Sequence, residues 1–325
     1  VSATPVQTSS LSRLPRPTAV TGTTVIGAAT VVVAVIAAIA VHGFATSTNL
    51  RGLCLSVSLV GIIAVGLSLI TIVGKIFSLA IPATVALTTI LFAETLHMGA
   101  GTALVLAVAM STAIGAIQGV IVGRFEADPI ITTIAAAAIL VGIGQIWTDG
   151  ATIVGHGDTT FFNSNLFDFL PFQTAVFIGI AAVAFWWHRF TVAGRKLTLI
   201  GLNERAALVS GLRSWPSVVL AFTVSGATTG VAAALLSAQS ENGSLTLGAN
   251  FGFDAIVAVV VGGVGIKGGV GTPLGAAVGA IFVGLLENVL ALIGLSYEWQ
   301  LVSKGVIVLA AVAVMGVAGR SERSA

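Results

Sequence analysis

Ten apolar stretches, nearly all of them close to the length needed to cross a bilayer, decide what this chain can fold into. They fall at 24–43, 53–74, 76–93, 101–123, 130–148, 172–188, 215–238, 251–266, 271–293 and 299–318, the last three being interrupted by single charges. A hydrocarbon core demands roughly 20 apolar residues per helix, because an unpaired peptide group there finds no water. The runs are continuously apolar and lack the period-2 alternation of barrel strands, so a transmembrane β-barrel is excluded. Only 8% of the 325 residues are charged, 56% are hydrophobic, and the mean hydropathy is +1.08. Soluble domains carry about 25% charged residues, so a soluble enzyme, a nucleic-acid binder and a disordered scaffold are all excluded. The expected fold is an all-α polytopic integral membrane protein of about ten transmembrane helices, with the lipid bilayer as its solvent.

The eighth run is short and Gly-rich, and the third follows Lys75 and carries Pro82, which predicts a broken span. Arg13 and Arg16 precede the first run as they would a secretory signal. That run is about twice the usual signal length and no small-x-small site follows, so it reads as a retained span. Residues 1–22, rich in Ser, Thr and Pro, read as a disordered cytoplasmic tail, 23–319 as the membrane domain, and 320–325 as a cytoplasmic tail.

Basic residues set the orientation. With the N-terminus in the cytoplasm, Arg13, Arg16, Lys75, Arg124, Arg189, Arg195, Lys196, Arg205, Arg213, Lys267, Arg320 and Arg323 fall inside. Arg51 falls outside, and Lys304 lies one turn within the last span. Both termini are then cytoplasmic. The five tryptophans, Trp147, Trp186, Trp187, Trp215 and Trp299, fall at interfaces, as an aromatic belt requires. An outer loop at 149–171 holds Asp149, His156, Asp158 and Asp168; an inner loop at 189–214 holds five of the fourteen basic residues. Segments 64–82 and 256–274 share a layout, an apolar helix ending near a lone lysine (Lys75, Lys267) and then a proline, as an internal duplication would leave.

No catalytic constellation is present. His42, His97, His156 and His188 stand without a cysteine or paired carboxylate at metal-ligand spacing, and His97 pairs by spacing with Glu94. Cys54, the single cysteine, reads as a small core hydrophobe. The Gly-rich run 262–271 lacks the Gly-Lys-Ser/Thr ending and the preceding strand of a phosphate loop. No cofactor or metal is expected. Glu287 lies inside the ninth run and shares a helical face with Ala276, Ala280, Gly284 and Ala291, a stripe that either lines a pathway or lets helices pack closely. Asp254, at the start of the eighth run, reads as a helix cap. Few acids lie near mid-membrane, which argues against a self-powered proton-coupled carrier.

In the inner loop, Asn203 is a fitting N-cap and Gly211 a fitting stop for a short helix, with Ala206, Ala207, Leu208 and Leu212 as its apolar strip. Either the lipid headgroup zone or a groove on another protein covers that strip.

The segment Gly201-Leu-Asn-Glu-Arg-Ala-Ala-Leu-Val-Ser-Gly211 resembles the cytoplasmic loop of ribose-type ABC importer permeases. Asp254-Ala-Ile256, Gly262-Gly263, Gly268-Gly269-x-Gly271, Gly275, Tyr297 and Gln300 to Lys304 match that family in order and spacing. The resemblance implies a type II-like permease in the bacterial inner membrane, with Gly201, Asn203, Glu204, Ala206, Ala207, Ser210 and Gly211 forming the helix that docks into a cytosolic ATPase subunit. It also implies an extracytoplasmic solute-binding protein, a second permease subunit, like or unlike, and a monosaccharide or polyol as solute. ATP hydrolysis is then left to separate subunits and this chain is not an enzyme. Branched-chain amino acids or nucleosides are the alternative solutes, and a proton-driven sugar carrier is the alternative mechanism. Glu287, Gly284 and Ala280 are the candidate pathway residues. The chain departs from the family at Phe77, where an Asp is usual, at Val141, where an Arg is usual, and at Glu287, where an Asn is usual.

Overall fold

A computed structural model describes residues 19–166 and 170–321. Each of the ten apolar runs contains most or all of one helix. The helices are α1 (Ala19–Ala40), α2 (Ser47–Ile72), α3 (Ile81–Thr95, extended by a 3-10 turn Leu96–Met98), α4 (Ala100–Arg124) and α5 (Pro129–Thr148) in the first half. The second half holds α6 (Phe172–Phe190), α7 (Val192–Leu202), α8 (Glu204–Val209), α9 (Trp215–Ser240), α10 (Phe251–Val261), α11 (Pro273–Leu292) and α12 (Tyr297–Ser321). Among the described residues, six are long and apolar enough to cross a membrane: α2, α3 with its 3-10 turn, α4, α5, α9 and α11. The α6–α7 pair adds a seventh if counted as one span, although it bends by 74°. Thr24–Ala40 and α10 are shorter apolar helices. The tail calls at 1–22 and 320–325, apart from the backbone of 19–22 and 320–321, lie outside the described residues.

Local chemistry sets the boundaries. Asp128 caps α5, its Oδ1 accepting from the N–H groups of Ile130 and Ile131 at 2.9 and 3.0 Å, with Pro129 at the first helical position. Thr272 and Pro273 repeat the device at α11, where the Thr272 hydroxyl accepts from Gly275 N–H at 3.0 Å. The expected break at Pro82 is absent: residues 75–80 lie outside any α-helix, and Pro82 stands in the first turn of a continuous α3, where its missing N–H costs nothing.

The core is built on α2 and α9. From Val57 almost every α2 residue is buried, as is most of α9 from Ser217 to Ala238. A span buried on all sides touches protein rather than lipid, and its small residues permit that. Gly115 and Gly119 of α4 meet Gly226, Phe222 and Val219 of α9 backbone to backbone, and the Ser111 hydroxyl donates to the Gly226 carbonyl at 2.7 Å. In contrast, α5 leaves Ile131, Ile134, Ile139 and Ile146 exposed on the outside of the bundle.

The 149–171 loop folds over the end of α9. Its strand β1 (Ile153–Val154) pairs antiparallel with β4 (Asn242–Gly243), and β2 (Asn165–Leu166) pairs with β3 (Leu170–Pro171). Phe161 and Phe162 pack with Phe172, and Phe162 also meets Phe92 of α3 edge-on at 6.1 Å. The hydroxyl and backbone N–H of Thr160 hold the Asp158 carboxyl below its usual range. Asp168 lies outside the described residues.

Candidate functional site

Two regions at opposite ends of the bundle gather nearly all the chemistry the sequence singles out. The first is the 189–214 segment. It contains a helix that sequence reading assigned to a loop: α7, capped by the Thr191 hydroxyl, which accepts from Gly194 N–H at 3.1 Å. The expected short helix follows as α8. Asn203 caps it, its Oδ1 accepting from Ala206 N–H at 3.0 Å, and Gly211, at φ +80°, ends it in the left-handed conformation that suits glycine. The Ser210 hydroxyl donates to the Ala206 carbonyl at 2.9 Å.

The apolar strip expected on α8 is split between two faces. Ala207 is buried, and Leu212 packs against the core. Leu208 is 53% exposed and Val209 92% exposed, so these two, and not Ala207, are what α8 presents outward. Sequence alone does not single out Val209, because its neighbours Leu208 and Ser210 give a six-residue helix no clear period.

Glycines join this segment to the bundle. The end of α2, the end of α7 and the 262–271 break meet where Gly269 N–H donates to the Ile72 carbonyl at 2.8 Å. A Cβ on Gly201 would collide with the Ile72 oxygen and the Gly269 nitrogen, and one on Gly268 would collide with Gly74. Lys75 then reaches Glu204 at 3.3 Å. The two segments with the shared helix–lysine–proline layout therefore converge on one point, with α7–α8 wedged against it. The Gly-rich run that resembled a phosphate loop serves this close approach.

The second region is a cavity of about 220 Å³ between α2, α9, α10 and α11, lined by Ser56, Gln239, Asp254, Ala280, Gly284 and Glu287 among others. All three candidate pathway residues line it. Behind them Lys304 of α12 stands 2.7 Å from Asp254 Oδ1 and 2.7 Å from Glu287 Oε1. Asp254 is thus no helix cap; it is buried in an ion pair. Glu287, Asp254 and Lys304 are the only Asp, Glu, Lys or Arg residues within the ten apolar runs, and all three meet. That rarity was the signal in the sequence for their pairing, since a charge in low dielectric needs a partner. Beside them Asn49 of α2 and Asn288 of α11 exchange side-chain amide hydrogen bonds at 2.8 and 3.0 Å.

The histidines lie apart. His97 bonds the Glu94 backbone carbonyl at 2.7 Å rather than its carboxylate, and His188 bonds Thr198 at 3.1 Å across the α6–α7 bend. Among the described residues no group of three or more His, Cys, Asp or Glu could hold a metal ion.

Residues 49–312 match the family described as branched-chain amino acid transport system / permease component. The chain is 31% identical over 294 residues to the ribose import permease protein RbsC of Bacillus subtilis (strain 168), covering 86% of this chain and 88% of that protein. It is 32% identical over 281 residues to RbsC of Escherichia coli (strain K12), covering 83% and 86%. It is 29% identical over 289 residues to the L-arabinose transport system permease protein AraH of the same strain, covering 85% and 84%. No solved structure matches the chain.

Proposed function

The chain belongs to this family of membrane permease components, and from that membership we propose that it is the membrane-spanning subunit of an ATP-driven importer for a monosaccharide, a pentose such as ribose or a related sugar or polyol. The family description names amino acids, but the relatives that cover most of this chain are sugar permeases, and they favour the sugar reading.

The observation that carries the mechanism is the glycine-lined junction under α8. A short helix with an exposed apolar tip, held rigidly against two helix breaks, is suited to receive force from a partner and pass it into the bundle. We assign α8 and its flanks, Gly201, Asn203, Glu204, Ala206, Ala207, Ser210 and Gly211, to coupling. Leu208 and Val209 enter the groove of a cytosolic ATPase subunit. Nucleotide-driven closure of the ATPases moves Gly201 against Ile72 and Gly269, and so shifts α2 and the α10–α11 break together. A packed, bistable core converts that small shift into a change of access. At the opposite, external end an extracytoplasmic binding protein delivers solute to the 149–171 side, and the cavity holding Ala280, Gly284 and Glu287 forms part of the path. A second permease subunit completes the assembly, in the bacterial inner membrane with both termini cytoplasmic.

Affinity purification of the tagged chain tests this reading. An ATPase subunit is expected to co-purify, and Leu208→Arg with Val209→Arg is expected to release it while the permease stays folded. Undiminished co-purification with that double variant would remove α8 from the interface.

A further inference from the structure

The Lys304 cluster does not balance its charge. One ammonium, itself 4% exposed, is shared by two carboxylates at equal distance. Asp254, 5% exposed, is enclosed with it, whereas 27% of the Glu287 side-chain surface is open. Both carboxylates line the cavity, so its wall brings two acidic groups together against one ammonium. Two further polar side chains, Ser56 and Gln239, both exposed at the mouth of the same space, make no side-chain hydrogen bond among the described residues. A cavity of about 220 Å³ holds one small solute, below the range of drug-sized pockets. Free hydrogen-bonding groups converge on it alongside an unbalanced carboxylate, an arrangement that a solute bearing both hydroxyls and one positive charge would complete.

We propose that this cavity binds an amine-bearing polyhydroxy solute, an amino sugar or amino polyol, with Glu287 as the counter-ion of its ammonium group and Ser56 and Gln239 as partners of its hydroxyls. Asp254 and Lys304 act as positioning residues, since their pairing fixes the Glu287 carboxylate at the cavity wall. The proposal rests on reading the cavity as part of the solute path and names the class of solute that path favours. An acidic sugar is repelled by the same charge, and a neutral sugar gains hydrogen bonds without the ion pair.

The test is direct binding to the full-length permease in lipid nanodiscs, with 2-amino-2-deoxyglucose, glucose and glucuronic acid as probes. The amine-bearing sugar is expected to bind about tenfold more tightly than glucose, and glucuronic acid more weakly than either. Glu287→Gln keeps an acceptor for Lys304 and leaves the Asp254–Lys304 pair intact, so the fold is retained; it is expected to erase the difference between the amine-bearing and neutral sugars. Ser56→Ala is expected to weaken both sugars equally. Equal affinities in the unaltered protein, as a protonated Glu287 would give, overturn the proposal. So does an amine preference that survives in Glu287→Gln, or failure of all three probes to bind. The importer reading fails separately, through loss of ATPase co-purification, and that result leaves this binding pattern standing.

Discussion

Lys304 is the residue on which the half of the molecule away from α8 turns. It neutralises one buried carboxylate and steadies a second. Removing a partner from such a cluster costs about 3–5 kcal/mol, because the remaining charges stay in low dielectric. Lys304→Met is therefore expected to lower the thermal midpoint of the purified permease sharply, and adding Asp254→Asn and Glu287→Gln is expected to restore most of it. A single Lys304→Met variant as stable as its parent would show that the cluster bears no load. Gly201 is its counterpart at the other end. Gly201→Ala drives a methyl into the Ile72 carbonyl and is expected to abolish transport, whereas Gly142→Ala, with nothing within 4 Å of the added carbon, is expected to leave transport unchanged. The Lys75–Glu204 pair, partly exposed, is worth under about 1 kcal/mol, so Lys75→Ala should shift stability little. At this scale the sequence marked Glu287 as unusual from its place in an apolar run, yet read Asp254 as a cap. A cap is a local property that spacing displays, whereas an ion pair across 50 residues depends on how three helices meet.

The decisive element is α8. Its limits were legible because Asn203 and Gly211 act locally, one through a side-chain oxygen and the other through a positive φ. Its outward face was not legible: only the docking of Ala207 and Leu212 against the core leaves Leu208 and Val209 outside. The preceding helix, α7, is not legible in the sequence, since two glycines in eleven positions weaken a helix and the adjacent Arg195 and Lys196 mark the segment only as polar enough to leave the membrane. Tertiary contact overrides that weak propensity, as Gly194 lies against the His188 backbone and Gly201 against Ile72. Arginine at Leu208 and Val209 tests the element in isolation: a surface change of this kind leaves stability within about 0.5 kcal/mol, so any lost ATPase binding reports the interface rather than unfolding. A matching loss of thermal midpoint would instead mean that α8 helps hold the bundle together.

The whole molecule is a bundle in which two helix breaks, after α2 and after α10, meet at one end and an ion-paired cavity lies toward the other. Apolar runs are legible because a bilayer imposes one requirement on every span, and among the described residues six helices, or seven with the bent α6–α7 pair, meet it, against the ten expected. Which runs are enclosed by protein is not legible, because the buried α2 is even more apolar than the exposed α5. Orientation has its own check. In a Cys54→Ser background, a membrane-impermeant maleimide applied to intact cells is expected to label a cysteine at Thr160 and spare one at Val209; the reverse pattern inverts the assignment of both ends.

Reconstitution measures most directly whether this permease is driven by a separate motor. Proteoliposomes holding this permease, with its ATPase subunits sealed inside together with ATP and its binding protein added outside, are expected to accumulate labelled solute against a gradient. They should stop when ATP, the ATPase or the Gly201 junction is removed. Accumulation that continues without the ATPase and collapses with the proton gradient would contradict the claim that this chain is moved from outside itself.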